Sequence, residues 1–226
     1  MNRNASMLLV LAAVAAALAV AAHQHNQLVL IYIFKPLGTL LILFFALAYR
    51  SKVRLAYSRW ICLGLLFSLV GDVLLISPDK FFVAGLAAFF LTHLAYLTAF
   101  TRDAKFPANW LVWIVFLAIA AEDFLQLHVR LPHGLGLPVA LYAVALATMA
   151  AQAIGRAIRL QTLASKFAAI GAILFLLSDT LLAWNRFQKP IAAASVLILT
   201  LYYAAQFLIA LSTNPSVPPP ELMPSS

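Results

Sequence analysis

Eight long apolar runs dominate this 226-residue chain, each close to the ~20 residues a helix needs to cross a bilayer. They lie at 6–22, 28–49, 59–77, 81–101, 109–126, 137–154, 166–184 and 190–211, with short polar connections. Inside hydrocarbon a backbone must pair its own N–H and C=O groups, which helices do within one segment. The fold class is therefore all-α, a polytopic membrane helix bundle of about eight transmembrane helices. Hydrophobic residues make up 65% of the chain and charged ones only 10%, more apolar surface than a soluble domain of this size could hide. Residues 1–213 are expected to form a single transmembrane domain. Residues 214–226, which include Pro218, Pro219 and Pro220, read as a disordered Pro-rich tail.

The first run has two readings. Arg3, an Ala/Leu/Val stretch and Ala-Val-Ala-Ala before His23 also have the form of a signal peptide. Uncleaved first spans look the same, and a retained first helix is the expectation.

The net charge of +8 sits between the spans, where it orients the chain and meets anionic membrane lipids; no nucleic-acid partner is implied. Ten basic residues (Arg3, Arg50, Lys52, Arg54, Arg59, Arg102, Lys105, Arg156, Arg159 and Lys166) fall on one side of an eight-span arrangement. Only Lys80, Arg130, Arg186 and Lys189 fall on the other, and Lys35 lies within a span. The bias predicts an integral protein of the plasma (inner) membrane with both termini cytoplasmic. One cysteine, Cys62, excludes an intrachain disulfide.

The third and seventh spans are related. Ser58-Arg59-Trp60, Gly64, Asp72, Leu74 and Leu75 match Ser165-Lys166-Phe167, Gly171, Asp179, Leu181 and Leu182 at a constant offset of 107. The same offset pairs Tyr96 with Tyr203 and Phe100 with Phe207. Four spans separate the copies, so the repeat is parallel, with halves of about 1–105 and 106–213. Asp72 and Asp179 are then expected at equal depth, each five residues before the end of its run, in the outer half of the bilayer.

An ionised residue at the centre of a span costs about 2.5–3.5 kcal/mol on insertion scales, so it persists facing a bundle interior or a cavity. Asp72 and Asp179 are the leading functional candidates; the plainer alternative is helix packing through Ser68, Ser178 or Thr180. Lys35 stands before Pro36, expected to kink the helix, and Gly38. It reads as a cation for a carboxylate or a substrate phosphate, or as a residue snorkelling to the headgroups. His93, with Tyr96 one turn on, reads as a proton relay, a polar substrate contact or a packing histidine. Tyr202, Tyr203 and Gln206 offer hydroxyls and an amide to orient a ligand, with packing an equal alternative. Glu122 and Asp123 read as interfacial. No metal site is expected, since His23, His25, His128 and His133 are read as loop residues.

These residues in this order resemble the YhhN family of membrane proteins. The resemblance rests on Lys35-Pro36-Leu37, Ser68-x-x-Gly71-Asp72-x-Leu74-Leu75, and Phe81-x-x-Gly85 with Phe89, His93 and Tyr96. It continues in Ser178-Asp179-x-Leu181-Leu182-Ala183 with Asn185 and Phe187, then Tyr202-Tyr203 with Gln206. It implies hydrolysis of the vinyl-ether bond of a lysophospholipid substrate, a lysoplasmalogen, to a fatty aldehyde and glycerophosphocholine or glycerophosphoethanolamine, without a cofactor. On that basis Asp72 and Asp179 are the expected catalytic pair. Lys35, His93, Tyr96, Asn185, Tyr202, Tyr203 and Gln206 are the expected substrate-binding residues.

The chemistry fits two acids. Protonation of the vinyl-ether β-carbon gives an oxocarbenium ion, water adds, and the hemiacetal collapses. That calls for one carboxylic acid kept protonated and one group to stabilise the cation and activate water, as two carboxyls do in glycosidases. The repeat leaves open which aspartate is the acid. A proton- or cation-coupled transporter, a metal-dependent lipid amidase and a non-catalytic lipid-binding protein are the rival readings.

Overall fold

A computed structural model of the protein describes residues 3–50 and 54–213, and among these every regular element is an α-helix. In order they are α1 (Arg3–Gln24), α2 (Leu28–Tyr49), α3 (Leu55–Leu74), α4 (Pro78–Phe100), α5 (Trp110–His128), α6 (Gly136–Leu160), α7 (Leu163–Phe187) and α8 (Ala194–Leu211). All eight are long and apolar enough to cross a membrane. The tail expected to be disordered and Lys52 lie outside the described residues.

Local chemistry sets the helix ends. The Asn109 side chain accepts from the Val112 N–H at 3.2 Å and caps α5, and Thr162 does the same for Ser165 in α7 at 3.1 Å. Pro78 opens α4, where its missing N–H costs nothing, and it disfavours helical backbone at Ser77. That stops α3 at Leu74, short of the expected end at 77. Asp72 consequently stands two residues before the end of α3, whereas Asp179 stands eight before the end of α7. The expected equal spacing of five residues does not hold. Ala193, at φ 54°, breaks the last apolar run, so α8 begins at Ala194 rather than near Pro190. Pro36 lies inside α2, which continues as one helix to Tyr49.

Chain neighbours pack on one another: α1 on α2, α2 on α3, α3 on α4, and likewise α5 on α6, α6 on α7, α7 on α8. Helix α4 also packs on α6, and α8 on α2. Helix α1 also packs on α8, while α5 leans on the outside of α6 and α7 with little of its surface buried.

Glycines let the helices approach. A Cβ on Gly64 of α3 would overlap the Tyr96 ring of α4, and one on Gly38 of α2 would lie 2.8 Å from Tyr203 Cε1 of α8. Gly64→Val must displace a fully buried ring whose hydroxyl donates to Gln206 Oε1 at 2.5 Å. The substitution is expected to cost about 1–3 kcal/mol of stability, read as a lower unfolding midpoint in detergent.

Candidate active site

The two aspartates are held differently. Asp72 is fully buried, and its Oδ2 accepts two O–H bonds, from Thr39 of α2 at 2.5 Å and from Tyr202 of α8 at 2.7 Å. The two donors are themselves 3.2 Å apart. Three helices thus converge on one carboxylate oxygen and satisfy it with hydrogen bonds.

Asp179 of α7 accepts from the Tyr142 hydroxyl of α6. His93 Nε2 of α4 lies 3.0 Å from that hydroxyl and 3.3 Å from Asp179 Oδ2. His93 Nδ1 is buried without a partner, which favours the tautomer carrying its proton on Nε2, directed at Tyr142 and Asp179. The rings of Phe89 and Phe175 stand edge-to-face with Tyr202, with centroids at 5.8 and 5.6 Å, and Phe175 does the same with His93 at 4.9 Å. This aromatic wedge fixes both hydrogen-bonded sets in one core.

Both carboxyls face one chamber of about 470 Å³, within the usual range for small-molecule sites. Its wall also carries Lys35, Tyr202, Asn185 and Arg186, and His23 from the last turn of α1. It lies at the end of the bundle where α1 meets α2, α3 meets α4 and α7 meets α8. Among the described residues the Lys35 ammonium has neither an ion-pair nor a hydrogen-bond partner. Arg186 reaches Asp79 at 3.6 Å across the rim, a solvent-exposed pairing of small energetic value. The arrangement offers two acids for proton transfer and a cationic flank for an anion.

Lys35, Asp72, Asp179, Asn185 and Tyr202 are therefore brought together around one space. His93 joins them through Asp179 and Tyr142. Asn185 accepts from the Ile191 N–H at 2.9 Å, which orders the α7–α8 connection beside the chamber. Tyr203 donates to the Lys35 carbonyl at 2.9 Å, so it supports α2 rather than facing the chamber. Tyr96 and Gln206 bond to one another, fully buried and off the chamber wall. Two of the packing partners weighed for the aspartates are engaged elsewhere: Ser68 with Thr92 at 3.1 Å, and Ser178 with the Ile198 carbonyl at 3.0 Å.

Some sequence readings change. His23 and His128 belong to the last turns of α1 and α5, because both helices run past the apolar stretches that marked them. Asp123 accepts from the Trp184 indole at 2.6 Å, half-buried between α5 and α7. Among the described residues no three His, Cys, Asp or Glu side chains are grouped to hold a metal ion. Thr39 and Tyr142 were not singled out by sequence, since neither is costly in a span. A signal for Tyr142 was present: it stands 107 residues after Lys35, the offset that relates Asp72 to Asp179.

The profile of the YhhN family matches residues 30–213. Lysoplasmalogenase TMEM86B of Sus scrofa is 38% identical over 169 residues, covering 75% of this chain and 68% of the relative. The human protein of the same name is 36% identical over 157 residues, 69% of this chain and 64% of the relative. A lysoplasmalogenase of Mycobacterium tuberculosis (strain CDC 1551 / Oshkosh) is 34% identical over 160 residues, 67% of this chain and 59% of the relative. The matched stretches thus span between 59% and 68% of these relatives' lengths. No solved structure matches.

Proposed function

The chain belongs to the YhhN family, and from that membership and the chamber's geometry we propose that it is a lysoplasmalogenase. It hydrolyses the vinyl-ether bond of a lysophospholipid to a fatty aldehyde and a glycerophospho-alcohol. One observation carries the chemical reading. A single chamber presents both intramembrane carboxyls together with the Lys35 ammonium.

The reaction divides among these groups as follows. One aspartic acid delivers its proton to the β-carbon, and the π electrons of the double bond form the new C–H bond. Positive charge develops on the α-carbon and ether oxygen, where the second aspartate, as carboxylate, stabilises it and takes a proton from the attacking water. The second carboxyl then gives that proton to the glycerol oxygen as the hemiacetal C–O bond breaks, and the hemiacetal hydroxyl returns a proton to the first. Aldehyde and alcohol leave, both acids are restored and the net change is addition of one water. Thr39 and Tyr202 keep Asp72 in place through the cycle, as Tyr142 and His93 do for Asp179. Lys35 and Arg186 receive the phosphate.

The direct test is incubation of purified protein in detergent with a lysoplasmalogen and with its ester-linked counterpart. Free aldehyde from the first alone is expected; its absence would sink the proposal, and transport coupled to a gradient without aldehyde would favour the transporter. Lys35→Met is expected to raise KM for the phosphorylated substrate about tenfold or more, with a smaller change in kcat. The same variant should treat a phosphate-free alkenylglycerol like the parent protein does, since the lost interaction is with the phosphate.

The chamber mouth lies at the end of the bundle that carries Lys80, Arg130, Arg186 and Lys189, the side poorer in basic residues. The positive-inside rule puts that end on the outer face of the plasma membrane and both termini in the cytoplasm. Reporter fusions at the C-terminus read this orientation directly.

A further inference from the structure

Two more spaces adjoin the chamber. A small apolar cavity of about 70 Å³ shares Leu75, Phe82, Phe89, Leu182 and Asp179 with it. That cavity in turn shares Leu86 and Tyr142 with a groove of about 250 Å³ on the lipid-facing side of α4 and α6. Val83, Ala87, Leu137 and Leu141 line this groove and are exposed, so in a bilayer they meet acyl chains. The three spaces form one series, from cations through carboxyls to hydrocarbon. A larger groove of about 520 Å³ between α1, α2 and α8 shares no lining residue with the chamber.

We propose that the groove between α4 and α6 and the cavity behind it bind the substrate's alkenyl chain, with Leu86 and Tyr142 as the gate between bilayer and chamber. The inference rests on the vinyl-ether reading above. The order of groups in the substrate matches the order of the spaces: phosphate, glycerol, ether oxygen, α-carbon, β-carbon, chain. With phosphate at Lys35 and the chain beyond Tyr142, the double bond lies where the polar chamber gives way to the apolar cavity. Of the two chamber aspartates only Asp179 lines both spaces. The β-carbon is the chain-side carbon of the double bond and is the atom that takes the proton. Asp179 is then the acid. Asp72, on the headgroup side beside Lys35, faces the α-carbon and serves as the carboxylate that stabilises the cation and deprotonates water. The hydroxyl of Tyr142 is both hinge and anchor: it bonds Asp179 while its ring closes the gate.

Ala87→Trp fills the groove without touching either aspartate. It is expected to lower kcat/KM for a long-chain lysoplasmalogen about tenfold or more relative to a short-chain one, whose tail stays within the inner cavity. Ala13→Trp, in the groove between α1, α2 and α8, should leave both substrates unaffected. Equal losses on the two chain lengths for Ala87→Trp, or a chain-selective loss for Ala13→Trp, would overturn the assignment. A second measurement does not depend on turnover. A non-cleavable alkyl lysolipid with a diazirine at the chain end, irradiated with the wild-type protein, should label Val83, Ala87, Leu137 or Leu141. Labelling confined to α1 and α8 would refute the chain route. The vinyl-ether reading itself fails differently: the wild-type protein would then release no aldehyde from any chain length, whatever the labelling shows.

Discussion

Asp179→Asn and Asp72→Asn are each expected to lower kcat about 100- to 10,000-fold on a lysoplasmalogen while leaving the protein folded. Asparagine keeps the shape of the side chain and an oxygen that can still accept from Tyr142 in one case, or from Thr39 and Tyr202 in the other. The hydrogen-bonded frame therefore survives, and what is lost is specific. At position 179 the amide cannot deliver a proton to carbon. At position 72 it carries no negative charge to offset the oxocarbenium ion and cannot take a proton from water. Because neither residue holds the phosphate, KM should move much less than kcat, the pattern of an interaction made chiefly in the transition state. Thermal unfolding in detergent serves as the control that the bundle is intact. If both variants turned over lysoplasmalogen within a few-fold of the parent, the two-acid mechanism would be wrong and the aspartates would be packing residues.

Which of these residues were legible before the fold was known follows from membrane energetics. Asp72, Asp179 and Lys35 stand out in a sequence because a charge within an apolar run is expensive, and the chamber is where that expense is relieved. Tyr142 and Thr39 carry no such penalty, so their roles emerge only when α6 and α2 are packed against α7 and α3. Tyr96 and Gln206 show the converse. They looked like ligand contacts because they are polar in mid-span, but Tyr96 donates to Gln206 across α4 and α8, away from the chamber. Helix spans were legible wherever hydropathy alone decides, as in α2, whose bounds of Leu28–Tyr49 coincide with the apolar run. They were not legible where backbone geometry intervenes: Pro78 shortens α3, and the left-handed Ala193 delays α8, though the residues there remain apolar. The 107-residue offset relates positions, not environments. Lys35 and Tyr142 are equivalent by that offset and both lie near an aspartate, but one offers a cation and the other a neutral hydroxyl. That difference lets two matched acids take unlike roles.

The largest effect on stability is expected at the opposite end of the bundle, from Asp103→Ala. Arg156 counts among loop charges by sequence, but α6 extends to Leu160 and carries its guanidinium into the interior, fully buried. Its partner stands on the connection between α4 and α5. Arg156 Nε and one terminal N–H donate to the two Asp103 oxygens at 2.6 and 2.7 Å, and Arg54 adds a bond at 3.0 Å. Both guanidinium groups also lie over the Tyr57 ring, at 4.8 and 4.6 Å from its centroid. Gln152, one turn earlier on α6, holds the same connection by accepting from Ala108 N–H and donating to the Ala104 carbonyl, each at 2.9 Å. Removing Asp103 strands a buried cation, a loss of about 3–5 kcal/mol. Removing the cation instead leaves Asp103, whose side chain is 22% exposed, still paired with Arg54. Arg156→Met should therefore cost less than Asp103→Ala, and the double variant should recover most of the difference, because the stranded charge is gone. Unfolding midpoints of the three variants in detergent check this. Equal single losses that simply add would show two independent contacts instead of one charge held by its partner. Since this cluster lies remote from the chamber, the variants should retain kcat at temperatures where they remain folded.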